Sequence, residues 1–94
     1  MRVRWLRKAL GNLDDEATYS AADDGAAAHL VVKRVIEAVW MLAEQPGLGR
    51  PGRVPGTREL IVAKTRYIVP YRVRGETVEI LRVFHTSRQL PDQG

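Results

Sequence analysis

Two apolar segments separated by a short polar turn constrain this chain most strongly. Residues 67–73 read YIVPYRV and residues 78–84 read VEILRVF, and Arg74, Gly75, Glu76 and Thr77 stand between them. A two-residue turn at Gly75-Glu76 is predicted, because glycine readily adopts the positive φ that the first position of a type II′ turn requires. The sequence therefore predicts a β-hairpin at this point of the chain.

The turn also sets a register for the predicted hairpin. The predicted cross-strand pairs are Val73 with Val78, Arg72 with Glu79, Tyr71 with Ile80, Tyr67 with Phe84, and Arg66 with His85. These pairs join opposite charges and join aromatic with apolar side chains, as neighbours across two strands prefer.

The register also assigns side chains to the two faces of the sheet. Strict alternation puts Tyr67, Val69, Tyr71, Val73, Val78, Ile80, Arg82 and Phe84 on a helix-facing side. The other side then holds Arg66, Ile68, Pro70, Arg72, Glu79, Leu81, Val83 and His85. Pro70 has no amide hydrogen, so we expect its nitrogen at an unpaired edge or a bulge.

Helical periodicity precedes the hairpin. Leu6, Leu10, Leu13 and Ala17 recur at steps of four, three and four residues, which predicts one stripe of an amphipathic helix after a short strand at residues 3–5. Asp23-Asp24-Gly25 breaks that pattern and offers a cap for a second helix over residues 26–44. A Gly/Pro-rich loop follows at residues 48–57, and strands are predicted over 58–63, 66–73 and 78–84.

The second predicted helix carries more apolar surface than a sheet alone would cover. Its charged residues gather in one narrow arc, and valine, isoleucine, leucine and tryptophan fill most of the remainder. Two explanations remain open for this wide apolar face. It is either buried between the sheet and the first helix, or a partner peptide covers part of it.

Length and composition exclude several classes of protein. Ninety-four residues make one domain over 1–94, with residues 89–94 expected to be disordered. There is no cysteine and there are two distant histidines, so neither a disulfide framework nor a metal site is expected, and no cofactor is predicted. No apolar run approaches the roughly 20 residues of a membrane span, and no signal peptide is evident, so a cytoplasmic protein is expected. The net charge of +4 suits nucleic-acid or acidic protein partners.

The predicted register brings Arg66 and His85 together at the open end of the sheet, with Arg88 just beyond them. Two arginines could stabilise the charge of a phosphorane-like transition state, and a histidine could move the proton in metal-free RNA cleavage. The alternative is that these residues are ordinary surface side chains that solvate the sheet.

The order strand, helix, helix and three strands is typical of an α+β layer fold. At this level the chain resembles the RelE/ParE superfamily of bacterial type II toxins. The matching stretches are Leu13-Asp14-Asp15 with Thr18-Tyr19, then residues 43–49, 56–60, 67–73 and 78–85. The resemblance implies an N-terminal strand and a two-helix antiparallel hairpin packed on a C-terminal three-stranded antiparallel meander.

The resemblance also implies a function. A toxin of this kind is encoded beside an acidic, partly disordered antitoxin, similar to ParD or RelB, which neutralises it by wrapping an extended and helical segment around it. RelE-like members are endoribonucleases that cleave mRNA in the ribosome, whereas ParE-like members inhibit DNA gyrase and are not known as nucleases. Arg66 and His85 match positions that are functional in some nuclease relatives.

Two features favour the ParE-like branch. The helical segment is long, spanning roughly residues 6–44, as in ParE-like toxins. The strand after the loop carries Arg58, Glu59, Leu60 and Ile61, where RelE ribonucleases carry lysines. The favoured hypothesis is therefore a gyrase inhibitor. The alternative is a ribosome-dependent mRNA endoribonuclease that uses Arg66, His85 and Arg88.

Overall fold

A computed structural model describes residues 1–21 and 25–86 of the chain. The elements are β1 (Arg2–Trp5), α1 (Arg7–Ala21), α2 (Gly25–Met41), β2 (Arg50–Pro51), β3 (Arg58–Ile61), β4 (Tyr67–Arg74), β5 (Thr77–Ile80) and β6 (Phe84–His85). The predicted α+β architecture is confirmed, because two adjacent helices and one mixed sheet share a single core. No helix within the described ranges is long and apolar enough to cross a bilayer.

The sheet has the strand order β1-β5-β4-β3-β2, and β6 also pairs with β4. β1 runs parallel to β5, whereas the pairs β2 with β3, β3 with β4, and β4 with β5 are antiparallel. The three predicted C-terminal strands form the centre of this sheet. The short strand β2 lies inside the Gly/Pro-rich loop, where no strand was predicted, and the predicted strand over 78–84 is divided into β5 and β6.

The hairpin turn forms as predicted. Gly75 has a φ of +61° while Glu76 does not have a positive φ, which is the pattern of a type II′ turn. The register next to the turn pairs Val73 with Val78, Arg72 with Glu79, and Tyr71 with Ile80. These three predicted pairs are confirmed.

A β-bulge changes the register farther along the hairpin. The backbone N–H groups of Leu81 and Arg82 both donate to the carbonyl of Pro70, at 2.9 and 3.4 Å. One extra residue therefore enters the second strand, and Tyr67 lies opposite His85 while Ile68 lies opposite Phe84. The predicted pairs of Tyr67 with Phe84 and of Arg66 with His85 are wrong. The bulge lies where Pro70 offers no amide donor, as its chemistry led us to expect.

The same bulge reverses the predicted faces of residues 82–85. Val83 is completely buried in the core beneath the helices, and its N–H donates to Oδ1 of Asn12 in α1 at 3.2 Å. Phe84 pairs with Ile68 on the other face, and Arg82 lines a depression on that face together with Pro70. The helix-facing placement predicted for Arg82 and Phe84 is therefore wrong.

The helices bury narrower stripes than predicted. In α1, Ala9 and Leu13 contact the core, whereas Leu10 is 51% exposed, so the predicted stripe is misplaced at that residue. The side chain of Ala17 and the predicted cap at Asp23 and Asp24 lie outside the described residues. α2 ends at Met41 rather than at residue 44, and a turn over residues 42–44 leads into the loop. Its buried residues are Ala28, Val35 and Val39.

Candidate functional site

The loop between α2 and β3 is anchored on the sheet by one tyrosine. The hydroxyl of the buried Tyr71 donates to the carbonyl of Pro46 at 2.7 Å and accepts from the N–H of Gly49 at 2.8 Å. The guanidinium of Arg58 also donates to the carbonyl of Gly49, at 2.8 Å. These bonds satisfy backbone groups that the loop would otherwise bury without partners. Sequence reasoning did not predict this anchor, and the small residue at position 49 was its only local sign.

α2 leaves an unusually large apolar area exposed. The exposed residues, which we call the α2 apolar surface, are Leu30, Ile36, Trp40 and Met41, and Trp40 is 61% exposed. Ile36 and Trp40 are four residues apart and therefore lie on one side of the helix. The sequence left open whether the sheet and α1 bury the whole apolar face of α2. The structure shows that part of this face stays exposed to solvent. Clusters of this kind on a small protein mark interaction surfaces.

A groove continues this surface towards the sheet. The α2–β3 groove encloses about 390 Å³, and its apolar lining comes from Ala38, Met41, Leu48, Leu60, Ile61 and Ala63. Leu48 and Ile61 are exposed side chains. The groove therefore offers a mostly apolar trough between a helix and a strand, wide enough to receive side chains of a partner.

The edge of β3 that borders this groove is open in the described structure. β2 pairs with β3 only at Glu59 and Arg58. The N–H of Val62 donates to the carbonyl of Tyr67, so Val62 directs its backbone groups towards β4. Backbone directions alternate along an antiparallel strand, which turns those of Ile61 towards the open edge. An extended segment of a partner could pair with the sheet there.

The structure changes the cross-strand partners of two residues of the predicted cationic site. His85 lies opposite Tyr67, and their rings meet edge to face with centroids 5.1 Å apart. Arg66 instead lies opposite Thr86, whose N–H donates to the Arg66 carbonyl at 2.8 Å. Arg88 lies outside the described residues. A catalytic role for Arg66, His85 and Arg88 stays a prediction, but the cross-strand pairing on which it was based is absent.

Metal chemistry has no evident site in this part of the chain. No group of three or more histidine, aspartate or glutamate side chains within residues 1–21 and 25–86 could hold a metal ion. His29 lies on exposed α2 beside Ile36 and Glu37 and lines a shallow depression there.

A closely paired carboxylate, Glu79, lies on the sheet face away from the helices. Nε of Arg72 donates to Oε1 of Glu79 at 2.6 Å, and Nε of Arg74 lies 3.9 Å from the same oxygen. The hydrogen bond from Arg72 lowers the pKa of Glu79 most, the charges of Arg72, Arg74 and Arg4 lower it further, and burial opposes them. Glu79 therefore stays ionised in the folded protein at pH values where a free glutamate begins to protonate.

We expect Glu79→Gln to change the acid limb of the stability profile. A carboxylate whose pKa is depressed by folding stabilises the protein above its unfolded pKa of about 4.3, and this stabilisation is lost as the pH falls through the folded pKa. The unmodified chain should therefore exceed Glu79→Gln in stability at pH 6, and the difference should narrow towards pH 3. Urea unfolding at pH 6 and at pH 3 measures this difference in the free energy of unfolding. Glu76→Gln, in the exposed turn of the same hairpin, is the control, and an equal narrowing there would contradict the assignment.

Comparison with known proteins places this geometry in one family. The sequence model described as the ParE toxin of the type II toxin-antitoxin system, parDE, matches residues 3–90. The chain is 49% identical over 90 residues to Y4kP of Sinorhizobium fredii, covering 96% of this chain and 93% of that protein. It is 38% identical over 85 residues to toxin ParE1 of Caulobacter vibrioides, covering 89% and 88%.

A solved structure agrees with these relatives. A chain of the chromosomal ParDE system from P. aeruginosa superposes with a TM-score of 0.83 at 33% identity, over 90% of this chain and 95% of that one. The family match includes both helices and all the described strands, except Arg2 at the start of β1. This chain therefore belongs to the ParE toxin family of type II toxin-antitoxin systems.

Proposed function

We propose that this toxin inhibits DNA gyrase when free and is neutralised by a cognate antitoxin that covers the α2 apolar surface and the α2–β3 groove. The observation that carries the antitoxin part is the exposed apolar area of α2 beside an open strand edge. A helical segment of the antitoxin would place apolar residues against Ile36 and Trp40. An extended segment would lie in the groove and pair with the edge of β3 at Ile61.

A partner that is disordered before binding suits these two adjoining surfaces. A folded domain would have to match both the convex helix and the narrow groove, whereas a flexible segment can adapt to each in turn. Burial of the exposed apolar side chains offsets the entropy lost when such a segment becomes ordered. The proposed antitoxin is therefore a partly disordered protein that folds on the toxin.

Gyrase is the proposed target for two reasons. The family to which the chain belongs is named for ParE toxins, and the resemblance on which the favoured hypothesis depends assigns gyrase inhibition to that branch. The nuclease alternative is weaker, because β3 carries Arg58, Glu59, Leu60 and Ile61 instead of lysines and because Arg66 is not the cross-strand partner of His85. The proposed toxin acts by protein contact and needs no chemistry of its own.

A supercoiling assay tests the target. Purified toxin at molar excess over gyrase should abolish supercoiling of relaxed plasmid or trap a cleaved enzyme–DNA complex, and addition of one equivalent of antitoxin should restore supercoiling. Full supercoiling activity at a tenfold excess of toxin would overturn the gyrase proposal. The same protein in a translation extract separates the two branches, because cleavage of mRNA that is lost in His85→Ala would instead support the nuclease.

A further inference from the structure

The charge of this protein is divided between its two layers. Residues 7–44, which include both helices, contain four basic and seven acidic residues. The rest of the chain contains eleven basic and four acidic residues. The entire positive net charge of the protein therefore comes from the sheet and its loops, while the helical layer is acidic.

The sheet concentrates arginines on the face away from the helices, which we call the outer face. Across β1, β5 and β4, Arg4 pairs with Glu79 and Glu79 with Arg72. Two residues along these strands, Arg2 pairs with Thr77 and Thr77 with Arg74. Residues directly opposite one another in a sheet share a face, so these form two parallel rows with four arginines and one carboxylate.

Near β2 and β3, the outer face again places a buried glutamate beside arginines. Glu59 accepts from the guanidinium of Arg50 and from the backbone N–H of Arg53, both at 3.3 Å. The bulge adds Arg82, which lines a depression of about 260 Å³ together with Arg53. Nε of Arg82 is inaccessible to solvent and has no hydrogen-bond acceptor within the described part of the chain.

The two glutamates neutralise only part of this charge. Their side chains are 7% and 9% exposed, whereas the arginines paired with them are 36% to 68% exposed. The carboxylates thus lie beneath the guanidinium groups and hold them in place. Seven arginines and two glutamates occupy the described outer face, which leaves it strongly positive towards solvent.

We propose that the outer face binds the phosphate backbone of double-stranded DNA. Rows two residues apart are separated by about 6.8 Å, and next-nearest strands by about 9.6 Å, so the guanidinium groups are spread over several phosphate spacings. Arginine suits phosphate because its planar group donates two parallel hydrogen bonds. Contacts of this kind read no base sequence, so the binding is sequence-independent.

The composition of the outer face favours duplex DNA over two other polyanions. Single-stranded nucleic acids are bound largely by stacking of bases on aromatic side chains. The described outer face has no exposed aromatic residue, since Phe84 is buried and Tyr67 and Tyr71 belong to the core. An acidic peptide would need apolar anchors among the arginines of the two rows across β1, β5 and β4, and those rows contain only arginine, glutamate and threonine.

Fluorescence anisotropy with a labelled duplex of about 20 base pairs tests this proposal in a salt series from roughly 50 to 200 mM. If the four arginines of the two rows, Arg2, Arg4, Arg72 and Arg74, are the ones that replace counterions, log Kd should change with log salt with a slope of about 3.6. The variant Arg2→Gln/Arg4→Gln/Arg74→Gln keeps the short Arg72–Glu79 pair and should weaken binding at least tenfold and reduce the slope to about 1. The control Arg7→Gln/Lys8→Gln/Lys33→Gln removes the same charge from exposed helical positions and should bind within about twofold of the unmodified protein.

Each other outcome overturns the proposal. Absence of duplex binding at the lowest salt, or equal weakening in both triple variants, would leave only a general effect of charge. Tighter binding of a single-stranded RNA of the same length, or displacement of duplex by an equimolar polyglutamate peptide, would assign the face to a different partner. Thermal melting of both variants establishes that they are folded. Gyrase inhibition in the absence of duplex binding would separate this proposal from the proposed function.

Discussion

Trp40→Ala should weaken antitoxin binding by roughly 30- to 1,000-fold, which corresponds to the loss of about 2–4 kcal/mol that is typical when a buried interface tryptophan is truncated. Trp40 is 61% exposed in the isolated toxin, so its large apolar side chain gains burial only when a partner covers α2. The stability of the toxin itself should change little, by less than about 0.5 kcal/mol. Isothermal titration with the cognate antitoxin measures the first effect, and thermal melting of the free toxin measures the second.

A matched control comes from the opposite side of the molecule. Val54 is 63% exposed in the loop after β2 and lines the depression on the outer face. Val54→Ala should leave antitoxin binding within about twofold, because it removes an exposed apolar side chain far from α2. Unchanged binding by Trp40→Ala, or equal losses in the two variants, would place the antitoxin elsewhere.

Tyr71→Phe should lower the free energy of unfolding by about 2–3 kcal/mol. The substitution preserves the buried ring but removes the hydroxyl that bonds both Pro46 and Gly49. A carbonyl and an N–H group are then left without their partner in a buried place, and an unsatisfied buried group is costlier than an absent one. For a domain of this size the midpoint of thermal unfolding should fall by roughly 8–24 °C. Differential scanning calorimetry measures both quantities.

The neighbouring glycine provides a second measure of the same anchor. A Cβ at position 49 would lie 2.6 Å from Cε1 of Tyr71 and 2.9 Å from the backbone oxygen of Glu59. Gly49→Ala should therefore destabilise the fold by about 1–3 kcal/mol through overpacking. Gly47→Ala is the control, since nothing lies within 4 Å of a Cβ there. Equal stabilities for the two alanine variants would contradict close packing of the loop on Tyr71.

The sequence predicted those features that depend on neighbouring residues. Gly75 specified the turn because it adopts positive φ without steric penalty, and the turn then fixed the pairs nearest to it. Helical periodicity predicted two helices, although the stripe of α1 was misplaced at Leu10 because Ala9 and Leu13 make the core contacts. α1 therefore turns the small side chain of Ala9 towards the core and leaves the larger Leu10 exposed.

The predicted register was wrong at the residues farthest from the turn. Register errors accumulate along a hairpin, and one inserted residue moves every later side chain to the other face. An arginine predicted to face the helices at position 82 was the sign that strict alternation failed. The bulge instead directs Val83 into the core and Arg82 to the outer face. Arg66 and His85 are consequently not cross-strand partners.

Amino-acid order alone determined the α+β class, the hairpin turn and the excess of apolar residues on the second helix, because these follow from local backbone preference and periodicity. Only the tertiary structure decided the bulge, the parallel pairing of β1 with β5, the exposed part of α2 and the division of charge between layers. Each of these depends on contacts between distant residues, such as Asn12 with Val83. Such contacts form where packing of the whole core is most favourable, and no short segment contains that information.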